Sequence, residues 1–311
     1  KGRRKTILSV RTLLSKEIAN TPKMKAFGRF IHRLYNKSDQ IIVPSKLVAL
    51  DLVNNYGIKE EKLKVIYNFI DQEKITTMAV ESMDNDFYSR LFQLPILLNV
   101  GRITPAKGQW LLFEVLKKMK NQFPDWRLVI IGESDTEGNL KTDLIRLSRE
   151  LGLTVYDSIE KKPFTLDYDI YLLGFQMNPF KYMKRSKLLV FPSVFEGFPN
   201  TVLEAMQSGL PVIVADCPSG PREILAHDTD LEFRTHKIEI TEYGILAPCL
   251  PVADIHQPID RDIIEQWVNG TTALIHDGDL QSKFVENGYL RVKDFDKDSI
   301  LLQWEKSIDS Q

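Results

Sequence analysis

Five short apolar runs, separated by stretches with helical spacing, constrain the fold of this chain more than any other feature. The runs show no alternation of apolar and polar residues, which is typical of strands covered on both faces. Strands and helices that alternate along a chain build a parallel sheet with helices packed on it. The runs lie at 96–100, 128–131, 170–173, 188–191 and 212–214, and the helical stretches at 109–123, 139–151, 178–185 and 200–209. We therefore predict an α/β fold with a Rossmann-like, doubly wound parallel sheet.

A shorter unit with the same order precedes these runs. Residues 6–10 predict a strand, and residues 24–35 predict a basic helix. The run 40–45 predicts a second strand, whose Ser45 caps a helix that continues to Tyr56 and ends at Gly57. A third strand is predicted at 63–66, and this unit resembles the last part of a second Rossmann-like domain.

The remaining segments set the predicted domain boundaries. Residues 71–94 lose the apolar pattern and turn acidic, which indicates a linker, and residues 257–309 predict three helices without a strand. Segments 154–168 and 226–241 read as insertions of unassigned purpose. We expect a partial N-terminal domain at 1–75, a linker at 76–94, a C-terminal domain at 95–285, and C-terminal helices at 286–311 that pack back toward the N-terminal part.

Composition excludes several classes of protein. Of the 311 residues, 43% are hydrophobic, which excludes a wholly disordered chain. The two cysteines, Cys217 and Cys249, are too few for a disulfide framework and fit a reducing compartment such as the cytoplasm. The sequence has no apolar run long enough to span a membrane and no signal-peptide core at its start, so we expect a cytoplasmic protein.

Positive charge is concentrated at the N-terminal end. Residues 1–37 hold eleven Lys or Arg and one acid, Glu17, although the whole chain has a net charge of -1. Such a segment favours an anionic partner, either a membrane surface or a phosphate, and a solvated protein face is the alternative. The few aromatic residues among these cations and the absence of a recognised motif argue against nucleic acid.

Two loops that follow predicted strands carry the side chains that are best suited to bind a ligand or to take part in catalysis. In a doubly wound sheet, ligands bind beyond the carboxyl ends of the strands. The first such loop, 101–108, brings Gly101, Arg102, Lys107 and Gly108 between a strand and a helix. Glycine lets the backbone approach a ligand closely, and the two cations can oppose a phosphate near a helix N-terminus.

The second loop leads into the helix predicted at 200–209. Asn200 is a good N-cap, which would leave the amides of Thr201 and Val202 free to bind an anion. Glu204 lies on or just past the first helical turn, and Glu196 lies in the loop eight residues earlier. Two carboxylates beside an anion site are suited to accept hydrogen bonds from hydroxyl groups, which favours a ligand with central phosphates and a sugar at each end.

These motifs, in this order, resemble those of retaining GT-B glycosyltransferases of group 1, the GT4 family, over about residues 40–309. The resemblance depends first on the E-x7-E pair of Glu196 and Glu204 within Phe-Glu-Gly-Phe-Pro-x-x-x-x-Glu. Supporting motifs are Val100-Gly-Arg-Ile-x-x-x-Lys-Gly108, Leu173-Gly174, Asn178-Pro179, Gly220-Pro-Arg-Glu-Ile-Leu225 and Tyr243-Gly244. The bacterial members that extend capsule, O-antigen or lipid-linked glycans are the most similar.

The resemblance implies that 1–75 is the acceptor-side domain and 95–285 the nucleotide-sugar-binding domain, and it implies a role for each motif. Arg102 and Lys107, with Gly101, would hold the diphosphate of the donor, and the helix start at Asn200, Thr201 and Val202 its distal phosphate. Glu204 would bind the ribose hydroxyls. Glu196 would bind the donor sugar within a pocket lined by Gly197, Phe198 and Pro199, and Gly174 with Phe175 would receive the base. Arg102, Lys107 and Glu196 would support catalysis, with no Asp-x-Asp triplet and so no indication of a metal.

The resemblance therefore implies a transferase that moves a hexose or N-acetylhexosamine from a nucleotide diphosphate sugar, UDP by family frequency, to a saccharide or lipid-linked acceptor. The configuration would be retained and no cofactor is implied. The chain departs from the family in lacking the opening of an N-terminal domain, which indicates a truncated chain, and His32 lacks the context of a catalytic histidine. Two alternatives remain: an epimerase or phosphorylase of the same fold, and a donor-binding subunit or fragment that needs a partner chain to bind the acceptor.

Overall fold

The computed structural model describes residues 5–20, 25–83, 85–134, 139–160 and 164–309, without the side chains of residues 25–27 and 29. It contains two parallel-dominated sheets, one of three strands and one of eight. The expectation of an α/β fold with doubly wound sheets is confirmed.

The first sheet belongs to the N-terminal unit. Its strands β1 (Ile7–Ser9), β2 (Gln40–Val43) and β3 (Leu63–Val65) are parallel and lie in this order, with helices α1 (Leu14–Asn20), α2 (Lys25–Tyr35) and α3 (Lys46–Tyr56). The predicted caps of α3 are confirmed: the Ser45 side chain accepts a hydrogen bond from the amide of Val48, and Gly57 is left-handed at the end of the helix. His32 bonds the carbonyl of Tyr56 through Nδ1 and so supports this helix end.

The segment that we expected to be a linker forms two helices, α4 (Gln72–Ala79) and α5 (Asp86–Leu91). The sequence did not predict these helices because each short helix buries only one or two apolar residues, too few to produce a pattern in the sequence. The Arg185 guanidinium donates to the carbonyl of Ala79, and Gln207 donates to the hydroxyl of Thr76 at 3.0 Å. This segment therefore packs on helices of the larger sheet.

The second sheet has the strand order β10-β11-β9-β8-β4-β5-β7-β6, and only the β10–β11 pair is antiparallel. The apolar runs predicted from the sequence form its central strands. The strands are β4 (Ile96–Val100), β5 (Arg127–Ile131), β6 (Val155–Asp157), β7 (Ile170–Leu172), β8 (Leu188–Phe191), β9 (Val212–Ala215), β10 (Glu239–Ile240) and β11 (Ile245–Ala247).

Helices cover both faces of this sheet, and an apolar cluster lies under each layer. The helices are α6 (Trp110–Met119), α7 (Leu140–Glu150), α8 (Phe180–Arg185), α9 (Asn200–Gln207), α10 (Pro221–Leu225), α11 (Arg261–His276) and α12 (Gly278–Arg291). The segments expected to be insertions add strands at the two sheet edges, β6 on one side and β10 on the other.

The last helix, α13 (Lys297–Asp309), packs on the first sheet and not on the second. Its Ile300 is buried against Ile42 of β2 and Ile66 beyond β3. The Lys64 ammonium donates to the hydroxyl of Ser307 at 2.5 Å. The chain therefore returns to its N-terminal unit after it has completed the larger sheet.

The order of the central strands locates a crevice. From β4 the sheet grows through β5 and β7 in one direction and through β8 and β9 in the other. Loops that leave the carboxyl ends of β4 and β8 therefore diverge to opposite faces, and a ligand can enter between them. These are the loops 101–108 and 192–199 that the sequence marks as functional.

Candidate functional site

The loops after β4 and β8 are joined by their backbones. The amide of Val194 donates to the carbonyl of Ala106 at 2.8 Å. Gly108 is left-handed, with φ of 63°, and a Cβ atom there would lie 2.3 Å from the carbonyl oxygen of Pro192. Only glycine fits this position, because any side chain would collide with backbone. The contact fixes the distance between the two loops.

An ion pair connects the same loops. The Lys107 ammonium lies 2.6 Å from a carboxylate oxygen of Glu196, and the two side chains are only 22% and 11% exposed. The ammonium also lies 5.2 Å from the ring centre of Phe191 at the end of β8. Both charges are thus held at the crevice, where the ammonium can bind a phosphate and the carboxylate can bind hydroxyl groups.

A cavity of about 540 Å³ opens beside the β4 loop. Gly101 and Arg102 line it together with Phe175, whose ring is 67% exposed at the rim. Its remaining walls come from the loop after β5 and from Gln176 and Pro179. The structure therefore groups Gly101, Arg102 and Phe175, as predicted. Lys107, Glu196, Thr201 and Glu204 are not among the residues that line this cavity.

Glycines form the floor of this cavity. The amide of Gly132 donates to the carbonyl of Gly174 at 2.9 Å, which connects the loops after β5 and β7. A Cβ atom at Gly132, where φ is 148°, would lie 2.1 Å from the carbonyl oxygen of Gly101. Three loops can approach this closely only because side chains are absent at their contacts. An aromatic ring beside such a floor can stack on a flat ligand such as a nucleobase.

The start of α9 differs from the expectation. Asn200 is the first helical residue and not the N-cap; Pro199 occupies the cap position without a side-chain bond. The Asn200 side chain instead accepts a hydrogen bond from Asn68 at 2.7 Å. The amide of Val202 donates to the carbonyl of Pro199, so the prediction that this amide is free is wrong. The fixed ring of Pro199 shifts the helix start by one residue, and the positive end of the helix dipole still faces the crevice.

Glu204 lies one turn into α9, and burial raises the pKa of its carboxyl group. Its carboxylate has no hydrogen bond or ion pair with any residue that the structure describes. The side chain is half-buried, so its carboxylate oxygens keep access to solvent and can accept hydrogen bonds from the hydroxyl groups of a ligand. This is the condition expected of a residue reserved for hydroxyl groups.

The segment between Glu196 and Asn200 contacts the N-terminal unit directly. A Cβ atom at Gly197 would lie 2.0 Å from the carbonyl oxygen of Arg11. The Phe198 ring is buried, with its centre 5.2 Å from that of Tyr67. Gly197 therefore acts as a contact of two backbones and Phe198 as a packing residue, while the backbone of the segment remains beside the crevice.

A second cavity, of about 550 Å³, lies on the other side of this segment. Arg11, Asn68 and Asn200 supply its polar groups, and Phe69 and Trp304 supply aromatic surface. The Arg11 guanidinium donates to the side-chain oxygen of Asn68, which in turn donates to Asn200. Sequence reasoning missed Arg11 and Asn68, although both follow the carboxyl ends of strands, a position that itself favours ligand binding.

Within the described ranges, no three His, Cys, Asp or Glu side chains group in a way that could hold a metal ion. None of the described helices is long and apolar enough to cross a bilayer.

Comparison with protein families gives two matches. The family described as glycosyl transferases group 1 matches residues 89–232, which include both loops of the crevice. The family described as glycosyltransferase family 4 matches residues 1–74, the N-terminal unit. The two matches follow one another along the chain: the second covers the three strands of the first sheet, and the first covers six of the eight strands of the larger sheet, β4 to β9.

Curated relatives agree with these families. An uncharacterized glycosyltransferase of Methanocaldococcus jannaschii, MJ1059, is 31% identical over 279 residues, covering 88% of this chain and 64% of the relative. A Campylobacter jejuni protein is 31% identical over 86% of this chain and 59% of its own length. It is named N-acetylgalactosamine-N,N'-diacetylbacillosaminyl-diphospho-undecaprenol 4-alpha-N-acetylgalactosaminyltransferase. The chain thus spans about three fifths of the length of these two relatives.

Solved structures share the fold. The crystal structure of Anabaena Alr3699/HepE in complex with UDP and glucose superposes with a TM-score of 0.73 at 19% identity, covering 99% of this chain and 72% of that chain. Staphylococcus aureus TarM superposes with a TM-score of 0.67 at 18% identity, covering 98% of this chain and 50% of that chain. The expectation of a GT-B type fold is confirmed at this level.

Proposed function

Because the chain belongs to the group 1, GT4, family of glycosyltransferases, we propose that it moves a hexose or N-acetylhexosamine from a UDP-sugar to a saccharide or lipid-linked acceptor. One observation carries the proposal most strongly. A partly buried ammonium and a partly buried carboxylate, Lys107 and Glu196, meet where the β4 and β8 loops diverge, beside the N-terminus of α9. This arrangement offers positive charge to a diphosphate and a hydrogen-bond acceptor to the sugar joined to it.

In the proposed donor complex, Arg102 and Lys107 bind the diphosphate, the backbone at Asn200 and Thr201 faces its distal phosphate, and Glu204 accepts the ribose hydroxyls. The base stacks on Phe175 in the 540 Å³ cavity. Complexes of a fold neighbour with UDP and with UDP-glucose are consistent with this choice of donor. We expect the two cations and the helix dipole to hold the diphosphate without a metal ion, so a chelator should leave turnover unchanged.

The proposed reaction retains the configuration of the donor sugar. An acceptor hydroxyl oxygen forms the new bond to the anomeric carbon on the face that the diphosphate leaves. The bond between that carbon and the phosphate oxygen breaks, and the leaving phosphate takes the proton of the hydroxyl. Lys107 and Arg102 stabilise the charge that develops on the diphosphate, which is the main electrostatic requirement of the transition state. The Glu196 carboxylate binds the hydroxyls of the donor sugar and stabilises the positive charge that develops on the sugar ring.

The carboxylates Glu196 and Glu204 provide the experiment that tests this function. Glu204→Ala should weaken binding of UDP and of the UDP-sugar equally, by about 1–3 kcal/mol, because charged hydrogen bonds to the ribose are lost. Glu196→Ala should leave UDP affinity unchanged and lower affinity for the UDP-sugar or its turnover. Calorimetry with UDP and a panel of UDP-sugars measures both effects and identifies the donor. Equal losses of UDP affinity in the two variants would contradict the assignment.

The Glu204 carboxylate is expected to favour UDP binding but to lower the stability of the folded protein. Because its pKa is raised in the folded protein, the folded state binds its proton more tightly than the unfolded chain does. Stability is therefore lost as the pH rises above the usual carboxyl range, and Glu204→Gln should raise the Tm at neutral pH while it weakens UDP binding. A lower Tm in this variant would show that the carboxylate has a partner in the fold.

The acceptor is proposed to bind in the 550 Å³ cavity of Arg11, Asn68 and Trp304. Amide and guanidinium groups beside an aromatic face can bind the hydroxyls and the apolar face of a sugar ring. Trp304→Ala should then raise the KM for the acceptor and leave UDP affinity unchanged, and an unchanged acceptor KM would place the acceptor elsewhere.

An anionic membrane surface is a proposed further partner. In the sequence, Phe27, Ile31 and Leu34 fall on one side of the basic helix, which favours shallow insertion of that side into lipid. Ile31 of α2 is fully buried, so it cannot insert. Phe30 and Leu34 are exposed instead, at 57% and 47%, and they lie one turn apart on the same helix. The side chain of Phe27 lies outside the described residues. Exposed apolar side chains among cations can hold a cytoplasmic protein reversibly at the inner face of a membrane.

Vesicle sedimentation tests this partner. Binding should rise with the content of anionic lipid and fall at high salt, since each Lys or Arg near the surface contributes about 1 kcal/mol. It should also fall when Lys23, Lys25, Arg29 and Arg33 are replaced by Ser, and when Phe30→Ser and Leu34→Ser are combined. Lys23 lies outside the described residues. Binding that is insensitive to both salt and lipid charge would contradict an anionic membrane surface as a partner, and these residues would then form a solvated face.

A donor-binding subunit that needs a partner chain is the second candidate. It is favoured by one observation: the side chains proposed to bind the donor, Arg102, Lys107, Glu196 and Glu204, all lie in the unit of the larger sheet. Transfer by the isolated chain would exclude it. Binding of UDP-sugar without transfer, restored when a longer chain or a partner is added, would support it.

A further inference from the structure

Ser219, just before the Gly220-Pro-Arg-Glu motif, has an unusual backbone. Its φ is 72°, and it is the one residue other than glycine in the described ranges with a left-handed φ. A left-handed conformation costs free energy in a serine, and it persists only where the surroundings hold it. The side chain is fully buried, and its hydroxyl donates to the carbonyl of Gly197 at 2.7 Å. The strained residue therefore holds the peptide that follows Glu196.

The other side of Ser219 contacts the N-terminal unit. The hydroxyl oxygens of Ser45 and Ser219 lie 2.6 Å apart. Because Ser219 donates to Gly197, the Ser45 hydroxyl donates to Ser219, while the Ser45 oxygen still accepts from the amide of Val48. A buried chain of hydroxyl groups thus runs from the N-terminus of α3 to the donor loop.

Glu223, in the same motif, gives α3 a second cap. Its buried carboxylate accepts hydrogen bonds from the amides of Lys46 and Leu47, at 2.9 and 3.2 Å, and from the hydroxyl of Tyr67 at 3.1 Å. A carboxylate at a helix N-terminus satisfies amides that have no partner within the helix and is attracted by its dipole. The first turn of α3 is therefore capped partly by a residue of the larger sheet's unit.

Two further contacts hold this motif in place. Arg291 donates to the carbonyls of Glu223 and Ile224, at 2.7 and 2.9 Å, and so fixes the short helix α10 from behind. A Cβ atom at Gly220 would lie 2.4 Å from the ring of Pro199. The motif is thus packed directly on the loop that leads from Glu196 into α9.

We propose that Ser219 and Glu223 are positioning residues of the donor site, which dock the Glu196–Pro199 loop onto the N-terminus of α3. They contact neither the donor nor the acceptor in this scheme. They set the orientation of the Gly197 peptide, and through it the distance between the donor sugar at Glu196 and the acceptor cavity at Arg11. The inference rests on the proposed function, because it assigns Glu196 to the donor sugar.

The positions of the two ligands determine which kinetic constant should change. The base and the cations that bind the diphosphate are proposed to lie on the loops after β7 and β4, whereas the side chains of Ser219 and Glu223 bond the loop after β8 and the start of α3. Binding of free UDP should therefore survive loss of the contact between the units. Transfer requires the sugar and the acceptor hydroxyl to be held at a reactive distance, and small displacements there lower the rate strongly. Loss of the contact should lower kcat.

The test uses the full-length protein and the variants Ser219→Gly and Glu223→Gln. Glycine adopts the left-handed φ without strain, so Ser219→Gly removes the CH2OH side chain and its hydrogen bonds without adding backbone strain. Each variant should lower kcat about tenfold, since one lost hydrogen bond is worth about that factor in a rate. UDP affinity should change less than twofold. In Glu223→Gln, hydrogen exchange at the amides of Lys46 and Leu47 should accelerate.

Matched controls separate positioning from general stability. Ser148 is also buried, with its hydroxyl bonded to the carbonyl of Ile145 at 2.8 Å, and lies on α7. Like Glu223, Asp169 is a carboxylate that accepts hydrogen bonds from a backbone amide and from a hydroxyl group, both of Thr154. It lies at the β6 edge of the larger sheet. Ser148→Ala and Asp169→Asn should lower the Tm and leave the kcat of the folded enzyme unchanged.

The outcomes separate this inference from the proposed function. Wild-type kcat in both Ser219→Gly and Glu223→Gln, in a protein that binds UDP and transfers sugar, would overturn the positioning role alone. A loss of kcat matched by the two controls would overturn it as well, since the effect would then follow from stability. Absence of UDP binding in the wild-type protein would overturn the proposed function and this inference together.

Discussion

Replacing Arg222 by Ala should lower the free energy of unfolding by about 3–5 kcal/mol, because it leaves a buried carboxylate without its countercharge. The Arg222 guanidinium bonds both oxygens of Asp216, which is fully buried, and both oxygens of Glu239, with the shortest distance 2.6 Å in each pair. Burial lowers the pKa of the guanidinium, but the hydrogen bonds to Glu239 and Asp216 outweigh it and raise the pKa overall. Urea unfolding measures the loss.

A double variant provides the control. Arg222→Ala with Asp216→Ala removes the guanidinium and the fully buried carboxylate, and should be less destabilised than Arg222→Ala alone, since the remaining partner, Glu239, is partly exposed. Arg222→Lys retains the charge and loses the forked geometry, so its stability should lie between those of Arg222→Ala and the wild type. A loss below about 1 kcal/mol for Arg222→Ala would mean that Asp216 finds another partner or water, contrary to its burial.

This ion-pair network also explains part of the segment 226–241. Thr235 donates its amide to Asp216 at 2.8 Å, and Phe233 lies under the Arg222 guanidinium at 5.1 Å. The edge strand β10 contributes Glu239 itself. The segment is thus ordered by contacts with one buried arginine, and such contacts produce no periodic pattern in the sequence.

The central strands could be predicted because their signal is local. β4, β5, β8 and β9 are short, mostly apolar and largely buried, and each appears in the sequence as a short apolar run, interrupted only by Asn99 in β4 and preceded by Arg127 in β5. The crevice follows from the same signal, because strand order and loop composition together indicate which loops bind ligands. The two-residue strand β10 was not predicted. Its pairing depends on a neighbouring strand and not on its own residues.

The charged residues at the crevice could be predicted from the sequence, but the contacts that hold their loops in place could not. Lys107 and Glu196 are marked by glycines and by the motif around them, and the structure brings them together at 2.6 Å. Ser219 and Ser45 are separated by 174 positions in the chain, and no spacing rule connects them. The cap at α9 failed for a different reason: Asn200 is a favourable N-cap in isolation, but its side chain bonds Asn68 of the other unit. Contacts between distant segments overrode the local preference.

Lys107→Ala should have the largest effect on transfer, with a loss of about 10²–10³ in kcat, because its ammonium stabilises the charge that develops on the departing diphosphate. UDP affinity should fall with it, whereas affinity for uridine, which has no phosphate, should not change. The same substitution leaves Glu196 without its partner at 2.6 Å, so some loss of stability is also expected. Calorimetry with UDP and uridine, together with turnover of the UDP-sugar, separates the two effects.

Lys120 offers a matched control for Lys107. Its ammonium lies 2.6 Å from Asp169, and the side chains are 22% and 15% exposed, so the two ion pairs are closely similar in geometry and burial. Lys120, however, follows the C-terminal end of α6, away from the crevice. Lys120→Ala should therefore cost a similar amount of stability and leave UDP affinity and kcat unchanged. Equal losses of UDP and uridine affinity in Lys107→Ala, or equal losses of kcat in both variants, would mean that Lys107 supports the fold and does not bind the diphosphate.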